Sequence, residues 1–171
     1  MRTILLAALF MCGVTRAHDI KFSYDCDTQN NHFSMFTLEL EKGPFVFSTN
    51  ISQLEARSGN EYRPIANIFI GGEKPSQAVG VRFAPARGEN NEMEFLLHNE
   101  SKYGRGQAFG NSTSAGAKVP VEFKFNLGKL YIKIANLPVV IESLSFQPKE
   151  LRLVCSTGDY EFAKSKLSIV K

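Results

Sequence analysis

Two neighbouring stretches of the chain alternate strictly between apolar and polar positions. In residues 121–125 valine and phenylalanine occupy every second position, and in residues 129–134 leucine and isoleucine do the same. A period of two predicts strands that pack one face against a core and expose the other, as in antiparallel sheets. Asn126-Leu127-Gly128 lies between the stretches and predicts a tight hairpin. With the strand at 93–97, this pattern predicts a core that contains Phe95, Leu97, Phe123, Phe125, Ile132 and Ile134.

Similar short runs recur along the chain, separated by clusters of turn-forming residues such as Gly71-Gly72. The predicted strands are 37–40, 44–47, 66–70, 79–83, 93–97, 119–125, 129–134, 139–144, 151–155 and 160–169. About ten short strands at this spacing predict an all-β fold, either a sandwich, a jelly roll or a barrel. Residues 103–118 are rich in glycine, serine and asparagine and predict an exposed loop. No internal repeat or linker divides the sequence, so we expect one domain.

The first seventeen residues have the pattern of a signal peptide. Met1-Arg2 forms a short basic start, residues 4–14 are uninterruptedly apolar, and Ala17 is a small residue before the expected cut. The apolar run is too short to span a bilayer. We therefore expect residues 1–17 to be removed, leaving a secreted, extracellular β-sandwich binding domain at residues 18–171. No second apolar segment follows, and we expect no membrane insertion.

Cysteine usage and charge restrict the chemistry of this expected mature chain. It holds two cysteines, Cys26 and Cys155, which in an oxidising compartment predict one disulfide between the first and last strands. The alternative is a pair of buried free thiols. The whole chain has 20 basic and 17 acidic residues, and two of the arginines belong to the leader. The nearly neutral remainder argues against nucleic acid or an anionic membrane as partner.

Three sequons for N-linked glycosylation follow the leader, at Asn50, Asn99 and Asn111. In a secreted protein each could carry a glycan, which would require a surface position. Asn111 lies in the predicted loop and is the strongest candidate of the three.

A stretch in the middle of the chain resembles the sugar-binding region of galectins. The residues that carry the resemblance are Val81-Arg82-Phe83-Ala84-Pro85-Ala86, Leu96-Leu97-His98-Asn99-Glu100-Ser101 and Tyr103-Gly104-Arg105-Gly106-Gln107, followed by a similar hairpin at 121–144. In that family a His-x-Asn-x-Arg strand precedes a Val-x-Asn strand and a Trp-Gly-x-Glu turn. The resemblance implies a galectin-like, jelly-roll sandwich with a carbohydrate site.

The departures from the galectin pattern predict an altered site. Arg82 stands at the family's His, Ala84 at its Asn, and Ala86 (or Arg87 with a shift) at its Arg. Alanine cannot donate the hydrogen bonds that orient a galactoside. The stacking Trp is absent, and Gly106 replaces the Glu. We expect weak galactose affinity, a preference for acidic saccharides, and an outward Arg82 beside Tyr103. The candidate carbohydrate-binding residues are Arg82, Asn99, Tyr103, Arg105 and Gln107.

Catalysis has little support in the sequence. Residues 68–82 resemble part of the farnesoic acid O-methyltransferase-like domain, but Gly71-Gly72 lacks the following helix of a cofactor cradle. A terminal His18, with His32 or His98, could form a copper-binding histidine brace, although nothing else resembles enzymes with that brace. No GxSxG, HExxH or P-loop motif occurs. We expect no enzyme, no cofactor and no metal.

The sequence therefore favours a secreted, non-catalytic, galectin-like binding module for an extracellular glycan or glycoprotein. The alternative is a secreted structural or protein-interaction sandwich without a sugar site. These two functions make different predictions for a glycan array, because only the first requires saturable saccharide binding.

Overall fold

The computed structural model describes residues 18–86, 92–99, 103–112 and 116–169, which form twelve strands. The strands are β1 (His18–Asp27), β2 (Phe33–Glu39), β3 (Phe45–Ala56), β4 (Ile65–Gly71), β5 (Ala78–Pro85), β6 (Met93–Asn99), β7 (Tyr103–Ser112), β8 (Val119–Asn126), β9 (Lys129–Ile134), β10 (Val140–Ser143), β11 (Glu150–Ser156) and β12 (Gly158–Ile169). None of the described segments is a helix of the length and apolarity that crossing a membrane requires.

The strands form two six-stranded antiparallel sheets that pack face to face. The first sheet has the order β1-β12-β3-β8-β9-β10, and the second has the order β2-β11-β4-β5-β6-β7. Inner-facing residues of both sheets meet in one apolar core, where the rings of Phe47 and Phe123 lie 6.5 Å apart and those of Phe83 and Phe95 lie 5.4 Å apart. The predicted antiparallel β-sandwich is confirmed.

The period-two pattern correctly identified the core positions. Phe95, Leu97, Phe123, Phe125, Ile132 and Ile134 are all buried. The hairpin between β8 and β9 also forms as predicted, with Asn126 paired to Lys129. Its two central residues, Leu127 and Gly128, have φ of 48° and 73°. Positive φ at both positions is typical of the tight two-residue turn that matches the twist of paired strands.

The structure corrects the prediction for residues 103–118. Residues 103–112 form β7, an edge strand of the second sheet paired with β6, instead of an exposed loop. Glycine-rich composition is typical of loops, but β6 supplies backbone partners that the local sequence does not reveal. Two register shifts and a positive φ at Gly106 accommodate the irregular segment. The prediction also missed β1 and ended β3 too early.

Cys26 and Cys155 form the predicted disulfide, with an S–S distance of 2.03 Å and a Cα–Cα distance of 6.1 Å. The sequence suggested a bond between the first and last strands, and this part of the prediction was wrong. Cys155 lies in β11, the penultimate strand. The last strand, β12, pairs with β1 in the first sheet, whereas β11 belongs to the second sheet. The disulfide therefore links the two sheets across the sandwich.

Candidate functional site

The outer face of the second sheet carries a row of side chains centred on Arg82. Strand pairing places Arg82 of β5 opposite Asn67 of β4 and Leu96 of β6. The flanking residues Val81 and Phe83 are buried in the core, so Arg82 projects to the opposite, outer side. The predicted outward orientation of Arg82 is confirmed.

The Arg82 side chain is half-buried and held by a buried amide. Its Nε donates a hydrogen bond of 2.9 Å to Oδ1 of Asn67, whose side chain is almost completely covered. Burial lowers the pKa of Arg82, because the charged form loses hydration. An arginine nevertheless remains protonated near neutral pH. The site therefore presents a positively charged guanidinium group whose orientation is set by Asn67.

A pocket of about 520 Å³ lies over this row, between β4, β5 and β6. Its walls combine apolar surface from two prolines and three aliphatic residues with three charged side chains. The lining residues are Arg63, Pro64, Ile65, Arg82, Ala84, Pro85, Glu94 and Leu96. Concave sites that combine apolar walls with a few polar groups are typical of small-ligand binding.

Two other described arginines, Arg57 and Arg152, already have acidic partners. Arg57 donates to a carboxylate oxygen of Asp27 at 2.5 Å and to one of Glu55 at 2.6 Å, and these bonds raise its pKa. Arg152 forms an ion pair with Glu150 in its own strand. For Arg82, by contrast, Asn67 is the one hydrogen-bond partner that the described residues provide. The positive charge in the pocket is therefore not neutralised by an ion pair from this part of the chain.

An aromatic pair borders the Arg82 row along the same face. The rings of Phe69 and His98 lie 5.1 Å apart on either side of Gly80 in β5. A Cβ at Gly80 would collide with the carbonyl oxygen of Ile68 and lie 2.7 Å from the ring of Phe69. Glycine at this position therefore allows the Phe69 ring to lie over β5, about 7 Å along the strand from Arg82.

Asn99 does not share the face of Arg82, and this prediction was wrong. It pairs with Val79 at an inner position of β6, is buried, and donates from Nδ2 to Oε2 of Glu142 at 3.0 Å. Glu142 belongs to β10 in the first sheet, so this hydrogen bond lies between the sheets. The predicted core positions Phe95 and Leu97 already place Asn99, two residues further on, on the inner face. The galectin pattern, and not the alternation, led to the wrong face.

The other predicted residues lie on β7. Tyr103 pairs through its backbone with Asn99, but its side chain and that of Arg105 lie outside the described residues. Gln107 is exposed and stands opposite Leu97, a core position, whereas Ala108 continues the Arg82 row. The structure therefore does not bring Gln107 onto that row.

The three sequons occupy different environments. Asn50 is partly exposed in β3 on the first sheet. Asn99 is in the interior, where its amide is not accessible in the folded protein. Asn111 pairs through its backbone with Glu94, and its side chain is outside the described part. Glycosylation of Asn50 and Asn111 stays a prediction.

Sequence reasoning missed Arg63, Asn67 and Glu94 as parts of the site. Asn67 offered a usable signal, because it is the single polar residue in the otherwise apolar stretch 65–70. A buried amide in a strand needs a hydrogen-bond partner. Arg63 and Glu94 gave no comparable signal, since only strand pairing brings them to the pocket.

We find no metal site in the segments that the structure covers, where no three His, Cys, Asp or Glu side chains are grouped to hold an ion. The side chain of His18, part of the copper alternative, lies outside these segments. His32 bonds through Nδ1 with the carbonyl of Asn30, and His98 packs against Phe69.

No protein-family model matches the chain, and neither does any curated protein sequence. Solved structures share its architecture at low identity. The carbohydrate recognition domain of Emp46p in its metal-free form matches with a TM-score of 0.53 and 11% identity, over 89% of this chain and 86% of that domain. A legume lectin-like domain from Entamoeba histolytica matches with a TM-score of 0.51 and 11% identity, over 85% and 84% of the two chains. The chain has a lectin-like sandwich fold.

An enzyme shares this architecture as well. The alginate lyase from Pseudomonas aeruginosa matches with a TM-score of 0.51 and 12% identity, over 75% of this chain. The chain spans 65% of the length of that lyase. Similarities at these identities establish the fold, and function has to be argued from the site.

Proposed function

We propose that this protein is an exported, non-catalytic binding module that takes a saccharide in the Arg82 pocket on the outer face of the second sheet. The pocket itself carries the proposal, because it combines a volume of about 520 Å³ with apolar walls and a small number of polar groups. Arg63 and Arg82 can donate hydrogen bonds to hydroxyl groups, and Glu94 can accept them. Two structural neighbours named for carbohydrate recognition or for lectins support the same ligand class.

The galectin resemblance is consistent with a changed specificity at this face. Arg82 and Ala84 lie on the outer face of β5, where the family's strand presents its sugar-binding side chains. Opposite them on β6 stand Leu96 and Glu94. This set of side chains differs from the galectin set, so we expect galactose to bind weakly or not at all.

Two features support an extracellular location for the protein. Residues 1–17 have the pattern of a leader, and the Cys26–Cys155 disulfide suits an oxidising compartment. We propose that the protein is secreted and that its partner is an extracellular glycan or glycoprotein.

A glycan array probed with the full chain, produced in a secretory host, tests this function. We expect saturable binding that soluble saccharide competes away and that Arg82→Gln weakens at least tenfold. Arg152→Gln is the matched control, because it removes an arginine from the same sheet face outside the pocket. Binding that survives unchanged in the Arg82 variant would place the ligand elsewhere.

One observation favours a protein partner as the second candidate. Phe33 and Met35 are exposed on β2, an edge strand, and the ring of Phe33 packs edge-on against Tyr62 at 6.1 Å. Exposed apolar patches frequently mark protein interaction sites. A glycan array without signal, together with a partner captured by the wild type and lost in Phe33→Ser, would support this alternative.

A further inference from the structure

The hydrogen bond to Asn67 determines which atoms of Arg82 can meet a ligand. Because Nε is occupied at 2.9 Å, the two terminal nitrogens, Nη1 and Nη2, form the binding end of the guanidinium. These nitrogens lie in one plane and can donate two parallel hydrogen bonds. This geometry matches the two oxygens of a carboxylate better than a single hydroxyl group.

The charges around the pocket favour an anionic ligand. Arg63 and Arg82 line it with one acidic residue, Glu94. Arg57 and Arg152 form ion pairs with neighbouring carboxylates, whereas in the described residues Arg82 bonds only to an amide oxygen. A partly desolvated cation is costly unless an opposite charge compensates it. Binding an anion would supply that compensation.

The surroundings of Arg82 favour a carboxylate attached to a sugar ring. Ile65, Ala84 and Leu96 provide apolar walls that can contact the C–H groups of a ring. Apolar walls also strengthen a charge interaction by lowering the local dielectric constant.

We propose that the pocket recognises an acidic saccharide, a uronic or sialic acid unit, whose carboxylate pairs with Nη1 and Nη2 of Arg82. This inference rests on the proposed saccharide function and names its ligand class. Asn67 acts as a positioning residue, because its buried Oδ1 fixes the direction of the guanidinium.

The test compares glycans that differ only in the acidic group. An array that contains uronate, sialylated, sulfated and neutral glycans identifies the acidic glycan bound most tightly. Titration calorimetry then compares that glycan with its carboxyl-reduced form, in which –CO₂⁻ becomes –CH₂OH. We expect reduction to weaken binding at least tenfold. Equal binding of reduced, neutral or sulfated glycans without carboxylates would overturn the acidic ligand and leave saccharide binding intact. An array without signal would overturn both.

Three variants locate the effect at the guanidinium. Arg82→Lys keeps the positive charge but removes the planar pair of donors, and we expect at least tenfold weaker binding of the acidic glycan. Asn67→Ala should weaken the acidic glycan more than its carboxyl-reduced form, which loss of stability alone would not do. Arg152→Gln should bind like the wild type, and the melting temperature of each variant checks folding. Unchanged affinity in Arg82→Lys would overturn the paired contact.

Discussion

Two buried asparagines show how strand register assigns roles to single residues. Asn67 projects to the outer face of β4 and holds Arg82, whereas Asn99 projects inward from β6 and bonds to Glu142 of the opposite sheet. Asn67 lies inside an apolar stretch, whereas Asn99 follows the end of one. Alternation with buried neighbours sets the side of the sheet for each residue. It predicted the outward orientation of Arg82 correctly, whereas the galectin pattern placed Asn99 on the wrong face.

Two substitutions distinguish the effect of the Asn99–Glu142 hydrogen bond from that of the glycosylation sequon at Asn99. Asn99→Ala removes a buried donor, and we expect it to lower the free energy of unfolding by about 1–3 kcal/mol. Ser101→Ala removes the sequon and keeps the Asn99 amide, so it separates the loss of a glycan from the loss of the hydrogen bond. Urea denaturation of both variants, with the mass of each secreted protein, checks this. Equal losses, or a glycan mass lost in Ser101→Ala, would contradict the interior position.

Tyr160 carries a buried hydroxyl group. Its side chain is fully buried, burial raises its pKa, and its hydroxyl has no hydrogen-bond partner among the residues described. Tyr160→Phe removes a polar group that is costly to bury, so we expect stability at pH 7 to stay equal or rise by about 1 kcal/mol.

Ionisation of Tyr160 should lower the stability of the folded protein at high pH. Tyrosine in the unfolded chain ionises near pH 10, while the folded state resists ionisation. The ionisation of Tyr160 therefore leaves the free energy of unfolding unchanged below about pH 10. Above that pH it lowers this free energy, by up to about 1.4 kcal/mol per pH unit. Urea denaturation at pH 7 and about pH 11 should show a smaller loss in Tyr160→Phe than in Tyr131→Phe, a control on the outer face of β9. Equal losses would contradict the prediction.

Among the strands, those with clear alternation could be predicted and the irregular ones could not. Both faces of β8 and β9 can be identified from the sequence, because every second residue is a buried aliphatic or phenylalanine and four of the residues between them are charged. β7 is glycine-rich and becomes a strand because β6 offers it backbone hydrogen bonds. The candidate site depends on three strands, β4, β5 and β6, whose relative register is a long-range property. The sequence therefore predicted the outward orientation of Arg82 but not the pocket around it.

The backbone strain at Leu127 in the β8–β9 turn can be relieved by a substitution. Leu127 is 91% exposed and adopts a positive φ of 48°, which is costly for a leucine. Leu127→Asn introduces the residue preferred before glycine in this turn, and we expect about 0.5–1 kcal/mol of added stability. Gly128→Ala, at φ 73°, should destabilise the same turn. Urea midpoints measure both changes, and a less stable Leu127→Asn would show that the leucine makes a contact that offsets its strain.

The disulfide links an edge strand of one sheet to the opposite sheet of the sandwich. β1 is an edge strand of the first sheet and pairs only with β12 among the described strands. Cys26 lies near the end of β1 and bonds to Cys155 of β11. In the second sheet β11 lies between β2 and β4. The covalent link thus holds the edge strand against the opposite sheet in addition to the core contacts.

Breaking this link should destabilise the molecule globally and loosen β1 locally. The disulfide closes a loop with a sequence separation of 129 residues, so its loss should cost about 5 kcal/mol through the greater freedom of the unfolded chain. Cys26→Ala with Cys155→Ala, compared by urea denaturation with oxidised and reduced wild type, measures the global effect. Hydrogen exchange should quicken first in the amides of β1, while β8 and β9, held from both sides or by a tight turn, stay protected. Uniform exchange rates across these strands would mean that the disulfide acts on the unfolded chain alone and does not anchor the edge strand.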